Sequence, residues 1–300
     1  MTSHTSLVTF GLPVYNGENF VAEAIQCVLD QTVSNWELVI CDNCSTDHTL
    51  EICRGFAERD SRIRIHQSAR NMGACFNFDR AFRLSRGRFF KWITHDDLFA
   101  AQFVERCLRE LERDDRVVLA IPRFCFVDAN RRVLRRQSRE LSVMGPTIES
   151  RAEQFMALAA GGMDFIWLAY GLIRRDVLEH VGSMGWYAAS DQVLLFKLAL
   201  RGCIKQVNEE MFFRREHPGA ETCRRGATVR ERARGAYADD NRRLVLPWCR
   251  NLKEHLVAVL DSPMPLRGKL RSITAVFKRF LTMWKFFVEE AIHSPMDALR

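Results

Sequence analysis

The chain has 300 residues, of which 47% are hydrophobic, so it is long and apolar enough to bury a complete core. Its formal net charge of +7 lies at one end: residues 1–220 hold 28 basic and 28 acidic side chains, whereas residues 221–300 hold 16 and 9. The N-terminus lacks a basic segment followed by a long apolar one, and no uncharged apolar run of about eighteen residues occurs. We therefore expect a chain that is neither secreted nor membrane-spanning.

Ten cysteines are scattered along the chain. Cys41 and Cys44 form a C-x-x-C pair, but no second pair completes a zinc site. Reduced thiols are the simpler interpretation, and they indicate a cytoplasmic protein.

The first half of the chain alternates between apolar runs of strand length and apolar residues at helical spacing. The runs lie at residues 7–10, 36–41, 62–65, 88–94 and 117–121. The helical spacings begin at Val21, Leu50, Phe76 and Phe103. This order predicts an α/β fold whose largely parallel sheet is covered by helices on both faces. The first strand is expected to end at residues 11–13, and the last of these strands before Pro122.

The pattern changes after about residue 123. Residues 124–127 and 133–134 predict a β-hairpin, and the basic run 131–139 predicts a solvent-exposed sheet edge. Further along, Asp191 opens an apolar helix that is expected to end at Gly202.

Acidic residues follow two of the predicted strands. Asp42 closes the run 36–41 and precedes a polar turn, and Asp96 and Asp97 follow the run 88–94. The carboxyl ends of parallel strands form the crevice in which nucleotides bind in open α/β sheets. The acids therefore predict one site for a nucleotide and a divalent metal.

Six motifs occur in order along the chain. They are residues 13–16, 31–47, 71–73 and 95–97, then Asp191, then residues 215–217. This ordered set resembles the inverting glycosyltransferases of family 2, which have the fold called GT-A. The resemblance extends over about residues 7–220. It implies a GT-A domain at residues 1–220, with a mostly parallel central sheet, followed by a basic helical extension at residues 221–300.

The resemblance also implies a reaction. A sugar would move from a nucleoside diphosphate sugar of the UDP, GDP or dTDP type to a hydroxyl group of a glycan or lipid-linked acceptor, in glycan or polysaccharide assembly. The cofactor would be Mn²⁺ or Mg²⁺, since the diphosphate binds such a metal through oxygen ligands.

The nucleotide-binding residues implied by the resemblance are Pro13, Tyr15, Asn16, Asp42, Asn71 and Asp96. A carboxylate at Asp42 would accept a ring N–H, which uracil and guanine have and cytosine and adenine lack. The alternative is that Asp42 is a turn acid, although Ser45 and Asp47 are better placed to cap the following helix.

The metal ligands implied by the resemblance are Asp96 and His217. The family pattern is Asp-x-Asp, and Thr94 stands at its first position here, which leaves the role of Asp97 open. Alternatively, the two acids cap a helix that starts at Ala100, and His217 is an ordinary loop residue.

Asp191 resembles the catalytic base of the family. Inversion requires the acceptor hydroxyl to attack opposite the leaving diphosphate, and a carboxylate on that side can take the proton. A helix-capping role is the alternative. Arg215 either neutralises the diphosphate or pairs with Glu216 at the surface.

Two other classes of function are open at this stage. A sugar-nucleotide-binding scaffold of a glycan assembly complex would be consistent with Thr94 at the acidic motif. A nucleic-acid-binding protein fits the basic tail alone and explains none of the acids, so no nucleic-acid partner is expected.

The tail contains an amphipathic pattern. Its apolar positions are Leu270, Ile273, Val276, Phe277, Phe280, Leu281, Trp284, Phe287 and Val288. Basic residues lie opposite them, at Lys269, Arg271, Lys278, Arg279 and Lys285. Such a helix either packs on the catalytic domain or lies in a membrane interface. Peripheral contact with the inner face of a membrane through residues 266–300 is therefore expected, with the remainder folding without this segment.

Overall fold

Residues 6–185, 187, 189–218, 247–285 and 288 are described by the computed structural model of the protein. The strands are β1 Val8–Val14, β2 Trp36–Asp42, β3 Ile63–Gln67, β4 Phe89–Trp92, β5 Leu98–Phe99, β6 Val117–Val127, β7 Val133–Arg136, β8 Leu172–Arg174 and β9 Cys203–Arg215. The helices are α1 Val21–Leu29, α2 Thr49–Ala57, α3 Ala74–Arg83, α4 Phe103–Arg113, α5 Ile148–Ala160, α6 Arg175–Val181, α7 Ser190–Arg201, α8 Pro247–Leu260 and α9 Leu266–Leu281. A 3-10 helix spans Met163–Tyr170.

One sheet holds all of these strands, in the order β3-β2-β1-β4-β8-β6-β9-β5, with β7 paired to β6. The long pairings are parallel: β1 with β2 and β4, β2 with β3, and β6 with β9. The short strand β8 lies antiparallel between β4 and β6. Every residue of β1 and β2 is buried, as expected when helices cover both faces of a parallel sheet. The predicted α/β fold with a mostly parallel central sheet is confirmed.

The first strand is longer than the sequence predicted. β1 continues through residues 11–13 to Val14 and stays parallel to β2 over that length. β4 ends opposite Gly11. Pro13, which has no N–H to donate, therefore lies where β1 has a strand neighbour on one side only.

The strand β6 also differs from the prediction. It is a single strand of 11 residues, whereas the sequence predicted separate strands on either side of Pro122. Its register with β9 shifts on both sides of Arg123, so the ladder is irregular where the proline N–H is missing. The hairpin between β6 and β7 is confirmed, and all four residues of β7 are exposed.

Several elements were not predicted: β5, β9, α5, α6 and the 3-10 helix. The strand β9 is hard to recognise because its buried and exposed residues do not alternate. The start of helix α5 has a local sequence signal, a capping box. The N–H of Thr147 donates to the hydroxyl of Ser150, and the N–H of Ser150 donates to the hydroxyl of Thr147.

The helices α8 and α9 pack on α5 and α7. Val259, Val276 and Phe280 belong to the main hydrophobic cluster, which also contains the sheet residues. Removing residues 266–300 would expose part of this cluster and should destabilise the remainder. That the remainder folds without the segment stays a prediction. The predicted boundary at residue 220 lies outside the described part of the chain. Within the described residues, no helix combines the length and hydrophobicity that crossing a bilayer requires.

His255 of α8 is buried between two aromatic rings. Its ring centroid lies 5.0 Å from that of Phe196 in α7 and 5.5 Å from that of Phe280 in α9. Its Nδ1 lies 2.8 Å from the carbonyl oxygen of Asn251. Burial lowers the pKa of His255 from 6.5 to about 4, and the charges of Arg279 and Lys197 contribute to this effect.

We expect His255 to make the protein less stable in acid. As the pH falls below about 6.5, the unfolded chain takes up a proton that the folded chain accepts only near pH 4. The free energy of unfolding should therefore fall by about 2 kcal/mol between pH 7.5 and pH 5 on account of this residue. Urea unfolding at the two pH values measures the change.

The variant His255→Phe keeps an aromatic ring of similar size and cannot titrate, so its stability should depend less on pH over the same range. His180→Phe, at an exposed histidine of α6, serves as the control and should keep the wild-type dependence. An unchanged pH dependence in His255→Phe would show that another group is responsible.

Candidate functional site

Two loops at the carboxyl ends of β1 and β2 are tied together by hydrogen bonds. The Oδ1 of Asn16 accepts the N–H of Thr46 at 2.9 Å, and the Oγ of Ser45 accepts the N–H of Asn16 at 3.0 Å. Asp47 accepts the N–H of Glu18 at 3.1 Å and that of Thr49, the first residue of α2, also at 3.1 Å. Asp47 thus accepts the first N–H of α2, although the N-cap residue itself is His48 and makes no side-chain cap. Ser45 holds the neighbouring loop instead of the helix.

The motif at residues 71–73 joins the same edge of the sheet through Asn43. The Nδ2 of Asn43 donates to the Oδ1 of Asn71 at 2.8 Å, and its Oδ1 accepts the N–H of Met72 at 2.9 Å. Gly73 has a φ of 85°, a conformation that favours glycine, and its N–H donates to Asn71. Three motifs that are separate in sequence therefore form one connected rim.

Asp42 lies at the end of β2 and has no exposed surface. Both of its carboxylate oxygens accept the N–H of Ser45, at 3.3 and 3.2 Å. In this conformation Asp42 acts as the turn acid of the alternative hypothesis. Pro13 is buried beside Cys41 in the β1–β2 register, while Tyr15 is 43% exposed on the same rim.

Asp96 and His217 come together from β4 and β9. The Nε2 of His217 lies 3.2 Å from the Oδ2 of Asp96, and both side chains are largely buried. The ring of Phe20 packs against that of His217 with a centroid distance of 4.8 Å and an angle of 57° between the ring planes. Burial by itself would raise the pKa of Asp96, but the hydrogen bond to His217 and the charges of His95 and Arg214 hold it well below its usual range.

The rim and the acidic motif are in contact. A Cβ on Gly17 would lie 2.7 Å from the ring of His95, so only glycine fits without displacing that ring. The N–H of Gly17 donates to the Oγ1 of Thr49 at 2.7 Å, which links the same loop to α2. The loop after β1 therefore connects the rim to the acids after β4.

Asp97 is buried and fully engaged by β9. Its Oδ2 accepts from the guanidinium of Arg214 and from the Oγ1 of Thr94, and its Oδ1 accepts the N–H of Arg215 at 3.0 Å. Burial raises the pKa of Asp97, with a further contribution from Asp96, while the charge of Arg214 opposes the shift. Thr94, which stands at the first position of the acidic motif, thus supports Asp97.

The helix-capping alternative for these acids is wrong. No helix starts at Ala100: residues Leu98–Phe99 form β5, and α4 begins at Phe103 after Gln102, without a side-chain cap. This leaves Asp97 as a structural acid and Asp96 as the acid beside His217.

Arg215 does not pair with Glu216, and its role towards the diphosphate stays a prediction. It is completely buried, and its partner is Glu23 of α1, at 2.6 Å, instead of Glu216. Its guanidinium carbon lies 4.3 Å from the centre of the Phe20 ring. Its Nε and Nη1 have no partner within the described residues.

Asp191 is the second residue of α7 and is half-buried. Its Oδ1 accepts the N–H of Gln192 at 2.9 Å. The preceding turn passes through Ala189 with a φ of 62°, and the carbonyl of Ala189 accepts from the Nδ2 of Asn251 at 2.7 Å. Asn251 lies on α8 and is fully buried, and nothing local in its sequence indicates this role.

Tyr170 connects the two acidic parts of the site. Burial raises its pKa, and the carboxylates of Asp97, Asp191 and Asp96 raise it further, against the charge of Arg214. Asp191 therefore lies within electrostatic reach of the same partly buried side chain as Asp96.

The pair formed by Asp96 and His217 fits a divalent metal that also binds a diphosphate. Mg²⁺ is commonly held by one or two carboxylates, with phosphate and water oxygens completing its shell, and neutral imidazole is a common ligand of metals in proteins. The described residues contain no group of three or more His, Cys, Asp or Glu side chains placed to hold a metal by themselves. The donor set therefore fits a metal that is shared with a ligand.

Comparison with known proteins identifies the family. Residues 9–182 match the family model described as glycosyl transferase family 2. A β-1,3-glucosyltransferase of Escherichia coli, WfgD, is 35% identical over 99 residues, which are 33% of this chain and 38% of WfgD. Chondroitin synthase of E. coli is 34% identical over 109 residues, which are 36% of this chain and 16% of that enzyme. The chain thus aligns with well under half of these curated relatives.

Two solved structures share the fold at low sequence identity. The structure of S. aureus TarS 1-349 in complex with UDP has a TM-score of 0.64 at 14% identity. The superposition covers 92% of this chain and 72% of the TarS chain. The mannosyltransferase PcManGT from Pyrobaculum calidifontis, in complex with GDP-Man and Mn²⁺, has a TM-score of 0.53 at 14% identity and covers 97% and 88%. The fold is that of the GT-A glycosyltransferases, as the sequence predicted.

We expect substitutions at the two neighbouring acids to affect stability very differently. Asp97→Ala leaves Arg214 buried without a counter-charge and should lower the free energy of unfolding by about 3–5 kcal/mol. Asp96→Ala removes one hydrogen bond to His217 and leaves no buried arginine without its ion-pair partner, so it should cost about 1 kcal/mol. Urea unfolding of the two variants at the same pH compares them. Equal losses would contradict the structural role assigned to Asp97.

Proposed function

The chain belongs to glycosyltransferase family 2, and from that premise we propose that it is an inverting, metal-dependent glycosyltransferase. It transfers a sugar from a nucleoside diphosphate sugar to a hydroxyl group of an acceptor in glycan or polysaccharide assembly. The observation that carries the proposal is the contact between Asp96 and His217, at 3.2 Å, beside the rim formed by the first three motifs.

The donor is a nucleoside diphosphate sugar of the UDP, GDP or dTDP type. TarS has been solved with UDP and with UDP-GlcNAc, and PcManGT with GDP-Man, so the shared fold accommodates both kinds of base in those proteins. Here the rim residues Pro13, Tyr15, Asn16 and Asn71 bind the nucleoside. Asp42 has no exposed surface in this conformation, in which its carboxylate accepts the N–H of Ser45. To contact the base, the carboxylate must therefore turn away from Ser45.

Asp96 and His217 would hold Mn²⁺ or Mg²⁺, which would supply positive charge against the leaving diphosphate. The low pKa of Asp96 keeps its carboxylate ionised and ready to bind a cation. Asp97 keeps Asp96 in place through its own hydrogen bonds to β9 and does not bind the metal. Arg215, which is buried against Glu23, stabilises the same end of β9.

Asp191 is the catalytic base. Its carboxylate removes the proton from the acceptor hydroxyl as that oxygen attacks the anomeric carbon on the side opposite the diphosphate. The hydrogen bond from Asn251 to Ala189 fixes the turn that precedes Asp191 and so orients the base.

The acceptor is a glycan or a lipid-linked glycan. WfgD, by its name, acts on α-D-GlcNAc-diphosphoundecaprenol, a lipid-linked acceptor, with UDP-Glc as the donor. The protein then works in the cytoplasm, on the inner face of a membrane, with contact through residues 266–300, and an acceptor of that class supports this part of the proposal. Thermal-shift measurements with UDP-, GDP- and dTDP-sugars and Mn²⁺ test the donor class. A bound donor at about 100 times its Kd should stabilise the fold by a few kcal/mol.

Replacing the proposed base tests the catalytic assignment. Asp191→Asn keeps the shape of the side chain and removes its basicity, so turnover should fall by roughly 10²- to 10⁴-fold while donor binding persists. Release of nucleoside diphosphate measures turnover, and calorimetry measures donor binding. Asp176→Asn is the matched control, because Asp176 is also the second residue of a helix and is exposed. Turnover near the wild-type level in Asp191→Asn would remove Asp191 from the mechanism.

A second pair of variants separates the metal site from the base-binding site. Asp96→Ala should weaken donor binding only when Mn²⁺ is present, because its carboxylate acts through the metal. Asp42→Ala should weaken binding of free UDP or GDP even in a chelator. Calorimetry with and without metal distinguishes the two effects. If both variants bind nucleotide like the wild type, the proposed site is in the wrong place.

A further inference from the structure

The helix α9 has an unusual second face. Its buried face, which includes Val276 and Phe280, packs into the core. A further set of large apolar residues on α9 is between 46% and 73% exposed: Leu266, Leu270, Phe277 and Leu281. At about 100° per residue these four fall within a sector of about 60°, so they form one continuous line, here called the apolar stripe. Trp284, just after α9, is also exposed.

Basic residues lie along one side of the apolar stripe. Arg267, Arg271 and Lys278 are exposed and fall within an adjacent sector of about 40°. None of them forms an ion pair with a described residue, and residues 262–288 contain no Asp or Glu. Glu153 of α5 lines the groove beside Arg271 and Lys278 but lies beyond ion-pair distance of both. Among the residues that the structure describes, no acidic side chain neutralises the positive charge of this surface.

The strand β7 provides a contrast within the same protein. Val133 and Leu134 are about as exposed as the stripe, at 47% and 53%, and arginines surround them. Three of the four flanking arginines are paired: Arg131 with Glu23, Arg135 with Asp164 and Arg136 with Glu210. An exposed apolar pair with most of its neighbouring charges neutralised should attract an anionic surface less than α9 does, so β7 serves as an internal control.

The chemistry of the α9 surface selects among possible partners. In a symmetric dimer the same patch would meet itself and bring arginine and lysine against arginine and lysine. A nucleic acid would contact the basic side chains and leave the apolar stripe in water. An anionic bilayer satisfies both parts, because the stripe enters the boundary of headgroups and acyl chains while the basic groups reach the phosphates.

We propose that α9 docks the protein flat on an anionic lipid surface through the apolar stripe and its basic margin. The helix needs no refolding to do this, since its opposite face is already packed against α5 and α8. The inference concerns the surface and its lipid partner. It rests on the proposed function only for its purpose, which is to bring the site to a lipid-linked acceptor.

The test uses the full chain and vesicles of two compositions, phosphatidylcholine alone and phosphatidylcholine with phosphatidylglycerol. The wild type should sediment with the anionic vesicles and be released as salt is raised. The stripe variant Leu270→Ser/Phe277→Ser/Leu281→Ser should lose at least about 10-fold in partitioning. The margin variant Arg267→Gln/Arg271→Gln/Lys278→Gln should lose roughly 10- to 100-fold.

The control Val133→Ser/Leu134→Ser alters equally exposed residues on β7 and should partition like the wild type. Thermal unfolding confirms that each variant is folded. If the wild type ignores anionic vesicles, or if the β7 control loses as much as the stripe variant, the proposal is overturned. It is also overturned if the stripe variant changes only the oligomeric state in ultracentrifugation. If the protein binds anionic vesicles but binds no nucleotide sugar, the proposal for the α9 surface stands and the proposed function is refuted.

Discussion

The carboxylate of Asp97 joins two segments that lie far apart in the sequence, the one after β4 and the end of β9. It follows β4, and it is held by the guanidinium of Arg214 and the N–H of Arg215 at the end of β9. An ion pair this deeply buried is costly to desolvate, and removing either partner alone leaves a buried charge. The pairing is therefore maintained only while both strands keep their places, and it brings His217 to Asp96.

The same connection organises the surroundings of the site. Arg214 lies 3.9 Å over the ring of Trp167, which attaches the 3-10 helix to β9. Tyr170, at the end of that helix, is partly buried. Burial raises its pKa, and the carboxylates of Asp97, Asp191 and Asp96 raise it further.

The C-terminal helices α8 and α9 support the turn that precedes Asp191. Phe280 of α9 contacts His255, the Nδ1 of His255 lies beside the carbonyl of Asn251, and the amide of Asn251 holds Ala189. This series of contacts links the proposed membrane-docking helix to the turn that orients Asp191. The basic extension is thus joined to the catalytic domain through the core, and one face of α9 remains available for a partner.

The sequence by itself determined the features that depend on near neighbours. Alternating strands and helices, the hairpin after β6 and the acids at the ends of β2 and β4 all follow from local periodicity and turn chemistry, and the structure has them. The ordered motifs also identified the family and its fold. The local pattern was insufficient to predict β9 or the full length of β6. Once its partner strands are in place, β6 accommodates Pro122, and β9 pairs although its burial is irregular.

Only the tertiary structure decided how similar residues divide their roles. Asp96 and Asp97 are adjacent in sequence, yet β9 engages one through arginine and leaves the other to His217. Arg215 pairs with Glu23, a residue of α1, and not with its neighbour Glu216. On α9, the core covers Val276 and Phe280 but not Phe277. Each outcome depends on contacts between residues distant in sequence, because burial and counter-charge are supplied by whichever elements pack nearby and not by the residue type.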